Sequence, residues 1–424
     1  MSMVYTLSLL LLFILPFQFA LPGLFGWEMP LVRLLAAAII TLFLITVLFR
    51  KSWQLPQPVL SGALVSFLGI VLASLLWAAE PKLALPKILF LFNLMPLVFV
   101  WHDLLQRDQH RRVSLAQALV FGALGAGLSG IVIFFSQFIF GASQVFHFMV
   151  NRVLPFFLGQ ELGGVVAHYP SLLVNIDGQT ILRATAFFPD PHVAAFFFGM
   201  CGFLALGLAR REGKWAYGFA AGVLFLADIL SFSRGGYIGL VAGALTYAAL
   251  AAPNFSPRVI LRFGGGVIVV ALTLTLFGQS VISRFATSFS ASDTSSTERI
   301  VLWREAAIAI SQHPVIGVGI GNYLSSARPL YQVGTPFYAH NLYLDTAVEV
   351  GIIGVVTLLL VFLSTFWRPL KMYANDSFIP ALASALAMYM AHSFFETALF
   401  SLHVTIVLMF ILALASSFRS REAW

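Results

Sequence analysis

Residues 31–49 read LVRLLAAAIITLFLITVLF, an apolar run in which only Arg33 is charged. A membrane-spanning helix needs about 20 such residues, and eleven further segments of the chain have a similar composition. Over all 424 residues the apolar fraction is 60%, the charged fraction is 10% and the mean hydropathy is +0.93. These values exclude an ordinary water-soluble domain. The sequence therefore predicts an all-α, polytopic membrane bundle of about twelve transmembrane helices.

The apolar runs also predict how the chain is divided. Two segments between spans are long, and loops of such length usually carry function or short helices of their own. The predicted spans are 4–21, 31–49, 59–78, 86–101, 113–140, 191–209, 215–231, 235–252, 263–279, 342–364, 378–394 and 402–418. The expected parts are N-terminal helices (1–140), a first long loop (141–190), central helices (191–279), a second long loop with an amphipathic helix (280–341) and C-terminal helices (342–424).

The positive charges predict which side of the membrane each loop faces. Lys and Arg near span ends are retained on the cytoplasmic side. With both termini cytoplasmic, more than half of the 24 Lys and Arg residues fall in inner loops, and the two long loops face outward. The net charge is +7, but these cations do not gather on one solvated face, so we exclude nucleic acid as a partner. The single cysteine, Cys201, excludes an internal disulfide.

The second long loop contains a predicted helix and a glycine-rich turn. In TSSTERIVLWREAAIAISQHP (294–314), Ser295 and Glu298 form a capping box, and Pro314 follows the far end. The predicted packing face consists of Ile300, Trp303, Ala307 and Ile310. The next stretch, GVGIGNY (317–323), lacks the strand–turn–helix setting of a dinucleotide site, so we exclude nucleotide binding.

Small residues at every fourth position predict a close helix contact in span eight. Glycines at such spacing allow two membrane helices to approach each other. The residues of this stripe are Gly235, Gly239 and Gly243.

Four polar stretches map to the outer side and suggest chemistry there. A planar guanidinium suits bidentate binding of phosphate oxygens, so several arginines around one histidine predict a phosphate-bearing substrate. The stretches are RATAFFPDPH with Arg183, Asp190 and His192; SFSRGG with Ser233 and Arg234; STERIVLW with Glu298 and Arg299; and YAHNLYLDTAVEVG with His340, Asn341, Asp345 and Glu349.

Each of these residues also has a structural alternative on spacing alone. Arg234 fits an interfacial anchor, and Arg183 fits one better than it fits binding. Arg299 is as consistent with a surface pair to Glu298 as with a ligand contact. Asp190 fits the cap of span six. No His-x-x-x-His or Glu-x-x-His pair occurs, so the sequence predicts no metal site.

A histidine such as His340 is more commonly a satisfied interfacial side chain, but its position favours general-base chemistry. It opens span ten, and Asp345 and Glu349 follow one and two helical turns later. The carboxylates of Asp345 and Glu349 are four residues apart and repel each other unless cations from elsewhere in the fold neutralise them. A histidine with an ordinary pKa of about 6.5 is largely neutral near pH 7 and accepts a proton from a hydroxyl, which is worth about 10² to 10⁴ in rate. His192 is kept as an alternative base.

At these residues the sequence resembles the O-antigen ligase and polymerase superfamily, integral membrane glycosyltransferases of the bacterial envelope. The resemblance extends over about 180–360, through RATAFFPDPH, SFSRGGYIGL, ERIVLWREAAIAISQHPVIGVGIGNY and AHNLYLDTAVEVGIIG. It implies a metal-independent, inverting transfer of a glycan from undecaprenyl diphosphate to an acceptor hydroxyl, on the periplasmic side of the bacterial inner membrane and without a cofactor.

The resemblance also implies roles for individual residues. His340 matches the family's essential histidine, the expected base, and Arg234 and Arg299 match the arginines that hold the donor diphosphate. Arg183 matches a further basic position ahead of span six. The family more often has asparagine at the place of His192. We also expect Asn341 at the substrate, and supporting roles for Glu298, Asp345, Glu349, Asp190 and His192.

Three functions are compatible with this pattern. The first is a ligase that transfers the glycan to lipid A-core. The second is a polymerase with the same donor and a second carrier-linked glycan as acceptor. The third, of another class, is a transporter or flippase for the lipid-linked sugar. In each case membrane lipids are expected partners of the protein. A transporter has its own sequence signature. It predicts ionisable residues near mid-membrane and paired broken helices, whereas Asp228 is almost alone in its position well inside a span.

Overall fold

The computed structural model describes residues 2–21, 28–50, 53–168, 170–176, 178–251, 294–324, 338–372, 376 and 378–418. These residues are helical almost throughout, with two short antiparallel strand pairs. The helices are α1 (Ser2–Ile14), α2 (Leu31–Arg50), α3 (Pro58–Ala73), α4 (Pro81–Leu94), α5 (Leu97–Arg107), α6 (Gln109–Phe140), α7 (Ala142–Phe148), α8 (Leu154–Leu158), α9 (Gln160–His168), α10 (Pro191–Glu212), α11 (Trp215–Ile229), α12 (Arg234–Ala251), α13 (Thr294–Gln312), α14 (Leu342–Met372), α15 (Ile379–His392) and α16 (Leu402–Ser416). The strands are β1 (Ala20–Leu21), β2 (Met29–Pro30), β3 (Leu173–Ile176) and β4 (Gln179–Leu182).

The all-α membrane fold is confirmed. Eleven of the twelve predicted spans coincide with helices, and the remaining one, 263–279, lies outside the described residues. Within the described ranges, six helical segments are long and apolar enough to cross a membrane. They are Leu31–Arg50, Pro58–Leu76, Pro81–Arg107, Gln109–Phe140, Pro191–Glu212 and Leu342–Thr365.

Two of the predicted spans are interrupted, each for a reason in the backbone. The span predicted at 86–101 consists of α4 and α5, which are separated at Pro96 because proline has no N–H for the helical ladder. The span predicted at 342–364 contains Gly351, whose φ of +69° is not helical. There the Ile352 N–H donates to the Pro314 carbonyl at 2.9 Å instead of to its own helix.

The centre of the bundle consists of α10, α15 and α16. Every side chain of α16 is buried, and α10 and α15 are nearly as enclosed. The predicted small-residue stripe of α12 faces α15: a Cβ added at Gly239 would meet the Met388 carbonyl at 3.0 Å. Helices at the periphery, such as α2, expose large apolar side chains, as expected of a surface in contact with lipid.

The first long loop has structure of its own, as its length suggested. It contains the short helices α7, α8 and α9 and the β3–β4 hairpin. Gln137 of α6 attaches the hairpin to the bundle, because its side-chain amide donates to the Leu182 carbonyl at 2.9 Å and accepts from the Leu182 N–H at 2.7 Å. The hairpin was not predicted from the sequence.

The helix predicted in the second long loop is present as α13, and half of its predicted packing face is confirmed. Trp303 and Ile310 pack against the buried cluster that contains Ala306, Ala309 and Val348. Ile300 and Ala307 are exposed instead, because the face that meets this cluster is centred on Ala306 and Ala309. The side chains of the predicted capping box, Ser295 and Glu298, lie outside the described residues.

The two ends of the bundle differ in chemistry. One end carries the basic residues predicted to be cytoplasmic, where Arg211 pairs with Asp376 at 3.1 Å and Arg112 donates to the Ser417 carbonyl at 2.7 Å. The loop ahead of α10, the α11–α12 turn, the start of α14 and the α15–α16 connection lie at the opposite end, which we call the outer end. There the Ala184 N–H donates to the Leu230 carbonyl and the Leu342 N–H to the Ser393 carbonyl, both at 2.9 Å.

Candidate active site at the outer end

His340 lies at the outer end, in a conformation that few side chains adopt. Its φ is +50°, in the left-handed region, which costs a residue other than glycine about 1–3 kcal/mol. The following residue stabilises the turn, because the Asn341 side-chain oxygen accepts from the N–H groups of Tyr343 and Leu344 at 3.0 and 3.1 Å. Asn341 therefore caps α14, and its predicted role at the substrate stays a prediction.

A carboxylate that the sequence reading missed, Glu396, contacts the His340 ring. Nδ1 of His340 lies 3.0 Å from both carboxylate oxygens of Glu396. Burial lowers the pKa of His340, but the charge and hydrogen bond of Glu396 outweigh burial and the positive charge of Arg299, so the pKa lies above its ordinary value. Glu396 thus makes the imidazole a stronger base.

Glu396 belongs to the stretch SFFETALF (393–400), between α15 and α16. Burial acts to raise the pKa of Glu396, but His340, His192 and Arg299 together hold it well below its ordinary range. The carboxyl is therefore ionised. Glu396 is 56 residues from His340 along the chain, so the sequence did not indicate that the two side chains meet. The only feature that could have pointed to Glu396 is its place in the last outer turn.

The two acidic residues of α14 have partners from other elements. Glu349 pairs with Lys87 of α4 at 2.5 Å, and the Lys87 ammonium also lies 4.7 Å from the centre of the Phe400 ring. Asp345 accepts from the Ala339 N–H at 2.8 Å and from the Thr397 hydroxyl. The expected neutralisation by a cation from elsewhere is thus found for Glu349, and Asp345 fixes the loop that carries His340.

The predicted arginines reach the same end of the bundle. Arg183 and Arg234 are buried, with 8% and 7% of their surface exposed. Arg299, in the first turns of α13, is close enough to interact electrostatically with His340 and Glu396. All three guanidinium groups therefore lie at the outer end, and their predicted roles at the substrate stay predictions.

His192 belongs to a second polar group beside this one. Its Nδ1 lies 2.8 Å from Oγ of Ser233, and the same oxygen lies 3.3 Å from Nε2 of His392. The charged groups that interact electrostatically with the His192 ring are Asp190, Glu396, Arg299 and Arg183. Asp190 itself caps α10, as expected, since its side chain accepts from the N–H groups of His192 and Val193.

Asp228 does not lie as deep as the sequence suggested. It occupies the last turn of α11, one residue before the helix ends at Ile229. It is fully buried, and within the described part of the chain neither of its carboxylate oxygens has a hydrogen-bond partner. It is also less isolated than predicted, since His392 and the Lys87–Glu349 pair are ionisable and lie in or beside apolar helices as well.

Taken together, the apolar bundle and the polar cluster at its outer end define a multi-pass membrane protein with a candidate site at one membrane surface. Among the described residues, no three His, Cys, Asp or Glu side chains are grouped so as to hold a metal ion.

Comparison with known proteins identifies the family to which this site is similar. Residues 219–359 match the family model described as O-Antigen ligase, which confirms the predicted resemblance to the O-antigen ligase and polymerase superfamily. The matched segment contains Arg234, Arg299 and His340, whereas Arg183, His192 and Glu396 lie outside it.

One curated relative is similar over a shorter stretch. The exopolysaccharide production protein ExoQ of Rhizobium meliloti (strain 1021) is 28% identical over 121 residues, which cover 26% of this chain. The match spans 27% of that protein, about a quarter of its length.

Proposed function

We propose that the protein is a glycosyltransferase that moves a glycan from undecaprenyl diphosphate to an acceptor hydroxyl at the outer, periplasmic face of a bacterial inner membrane. The observation that carries this proposal is the His340–Glu396 pair, with its ring nitrogen and carboxylate oxygens 3.0 Å apart, close to the charge of Arg299. A base beside fixed cations is what transfer from a diphosphate needs, since a diphosphate leaves readily once its charge is held.

The proton on His340 is assigned by its partner. An ionised carboxylate only accepts hydrogen bonds, so Nδ1 of His340 carries a proton and donates to Glu396. When the ring is neutral, Nε2 then presents a lone pair to the acceptor hydroxyl. Glu396 stabilises the imidazolium that forms, as the carboxylate of a catalytic triad does.

The proposed reaction follows from these assignments. Nε2 of His340 takes the proton of the acceptor hydroxyl, and the oxygen forms a bond to the anomeric carbon. The bond between that carbon and the diphosphate oxygen breaks, and its electron pair stays on the diphosphate, which Arg234, Arg299 and Arg183 hold. Because attack comes from the face opposite the leaving group, the anomeric configuration is inverted.

The acceptor is proposed to be lipid A-core, which makes the protein a ligase. A polymerase, with a second carrier-linked glycan as acceptor, is the alternative that the relative named for exopolysaccharide production favours. Purified protein incubated with a carrier-linked glycan separates the two. Transfer that requires lipid A-core supports the ligase, whereas a carrier-linked polymer that lengthens without lipid A-core contradicts it.

The proposed transfer is independent of metal ions. Because arginines are proposed to neutralise the diphosphate, EDTA should leave the rate of glycan transfer unchanged.

A transporter of the lipid-linked sugar is the alternative of another class. The observation that favours it is the carboxylate of Asp228, which has no hydrogen-bond partner among the residues that the structure describes. In reconstituted vesicles, His340→Ala should abolish glycan transfer if the protein is an enzyme. Two results together would support transport. The wild-type protein would form no transferase product, and the His340→Ala variant would still move the lipid-linked sugar across the membrane at the wild-type rate.

A further inference from the structure

We propose that the His192 ring donates a hydrogen bond to the diphosphate of the glycan carrier. Ser233 and His392 are positioning residues that fix the proton of His192 on Nε2. This inference rests on the proposed function and gives the site's two histidines opposite roles: His340 accepts a proton, and His192 presents one. It follows from the hydrogen-bonding capacity of one buried hydroxyl.

Within the described ranges, three groups lie at hydrogen-bond distance from the Ser233 hydroxyl, and Ser233 is fully buried. It lies at the start of α12 and accepts from the Gly236 N–H at 3.2 Å, which is the contact of a helix N-cap. Nδ1 of His192 lies at 2.8 Å and Nε2 of His392 at 3.3 Å. A hydroxyl has two acceptor lone pairs and one proton. After the cap is formed, one lone pair and one proton remain, so one imidazole must donate to Ser233 and the other must accept from it.

The surroundings of His392 decide which imidazole donates. Its ring is fully buried and stacks on Phe196, with the ring centres 3.6 Å apart. Its other nitrogen, Nδ1, has no hydrogen-bond partner within the described residues. A proton there would be a buried donor without an acceptor, a rarer and costlier defect than an unused lone pair. The His392 proton therefore lies on Nε2 and is donated to Ser233.

The proton of the Ser233 hydroxyl then points to His192. Nδ1 of His192 accepts it, so a neutral His192 carries its own proton on Nε2. His192 is partly exposed and interacts electrostatically with Asp190 and Glu396 and with Arg299 and Arg183. The two arginines are among the residues proposed to hold the diphosphate. The Nε2–H group adds a directed donor to that cationic cluster, and in this arrangement His192 cannot act as the base.

Binding of undecaprenyl diphosphate to the full-length protein in lipid nanodiscs tests the donor role. His192→Leu should weaken binding about 10- to 100-fold, as expected for loss of a hydrogen bond to a charged group. His192→Gln should stay within a few-fold of wild type, because its amide donates but cannot serve as a base. His147→Leu, on exposed α7, is the matched control. Equal loss in His192→Gln and His192→Leu would overturn the proposal.

The positioning role is tested at His392 and by a readout that needs no ligand. His392→Gln keeps a donor toward Ser233 and should preserve affinity, whereas His392→Leu should lose it to a similar extent as His192→Leu. Solid-state NMR of protein labelled with ¹⁵N-histidine, with signals assigned from the glutamine variants, should show the proton of neutral His192 and His392 on Nε2.

A His192 proton on Nδ1 would overturn this inference alone, since the His340 base does not depend on it. Failure of the wild-type protein to bind undecaprenyl diphosphate would instead contradict the proposed function, and the NMR spectrum would still decide where the proton of His192 lies.

Discussion

At the scale of single residues, the partner of each Nδ1 determines what the histidine can do. The carboxylate of Glu396 leaves His340 with a basic Nε2, and the Ser233 hydroxyl leaves His192 with an Nε2 that donates. The sequence identified both histidines, since each stands beside polar residues at the start of a span. It could not assign their roles, because Glu396 and His392 come from distant segments that pass beside them only in the folded bundle.

Removal of the Glu396 charge should shift the pH dependence of transfer. His340 acts in its neutral form, so the rate rises with pH through its pKa, which Glu396 raises. In Glu396→Gln, burial and Arg299 act on the pKa without that opposing charge, and the acidic limb should move to lower pH. The plateau rate should fall by about 10- to 100-fold because the base is weaker. Initial rates between pH 5 and 9 measure both effects.

A matched variant makes this test specific. Glu161→Gln removes an exposed carboxylate on α9 and should leave the profile unchanged. An acidic limb at the same pH in wild type and in Glu396→Gln would show that His340 is not the group that titrates.

The Lys87–Glu349 pair should contribute to the free energy of unfolding of the protein. The two side chains are 16% and 4% exposed, and removal of one partner of a buried pair costs about 3–5 kcal/mol. Lys87→Met should therefore lower the free energy of unfolding by that order, and Lys87→Met with Glu349→Gln should recover most of the loss. Thermal unfolding in detergent measures this, with exposed Lys82→Met as control. Equal stability of Lys87→Met and Lys82→Met would contradict the pairing.

At the scale of elements, hydrophobic runs predicted the spans well. The errors concern features that depend on tertiary contacts, namely the packing face of α13 and the β3–β4 hairpin. The bounds of α2, α10 and α16 agree with prediction to within a few residues. The contact face of α13 was only half predicted: Trp303 and Ile310 pack as expected, whereas Ile300 and Ala307 are exposed. A helix that is apolar on two sides does not specify from sequence which side meets α14. The β3–β4 hairpin was missed because Gln137 of α6, rather than a strong strand pattern, attaches it to the bundle.

The kink of α14 should be intolerant of any side chain at Gly351. A Cβ there would overlap the carbonyl oxygen of Val315, and the positive φ is itself strained for alanine. Gly351→Ala should lower the free energy of unfolding by about 1–3 kcal/mol or more. Gly62→Ala, in α3 with open space around the position, should be neutral or slightly stabilising. Similar melting temperatures for the two variants would show that the kink is not fixed by this contact.

At the scale of the whole molecule, the placement of charge was predictable and the depth of polar groups was not. Arg112 and Arg211 lie at one end of the bundle, and the three arginines of the candidate site lie at the other, as the alternation of spans predicted. Glu349 and His392 are buried and Lys87 is half-buried beside apolar helices, and their contacts depend on which helices are neighbours. Hydropathy also placed Asp228 well inside a span, whereas Asp228 lies in the last turn of α11, one residue before that helix ends.

The proposed orientation can be tested with cysteines, since the native Cys201 is buried and should give little background. Gln179→Cys, exposed in the β3–β4 hairpin, should react with a membrane-impermeant maleimide in intact spheroplasts. His110→Cys, exposed near the start of α6, should react only after the membrane is permeabilised. The opposite pattern of labelling would place the candidate site in the cytoplasm.

The most direct measurement compares binding and turnover in the same purified variants. We expect His340→Ala to bind undecaprenyl diphosphate with wild-type affinity while transfer of glycan from the carrier falls at least about 100-fold. We expect Arg299→Gln and Arg234→Gln to lose affinity for the diphosphate. Substantial transfer by His340→Ala, or unchanged diphosphate affinity in both arginine variants, would contradict a base and a cationic clamp assembled at the outer end of this bundle.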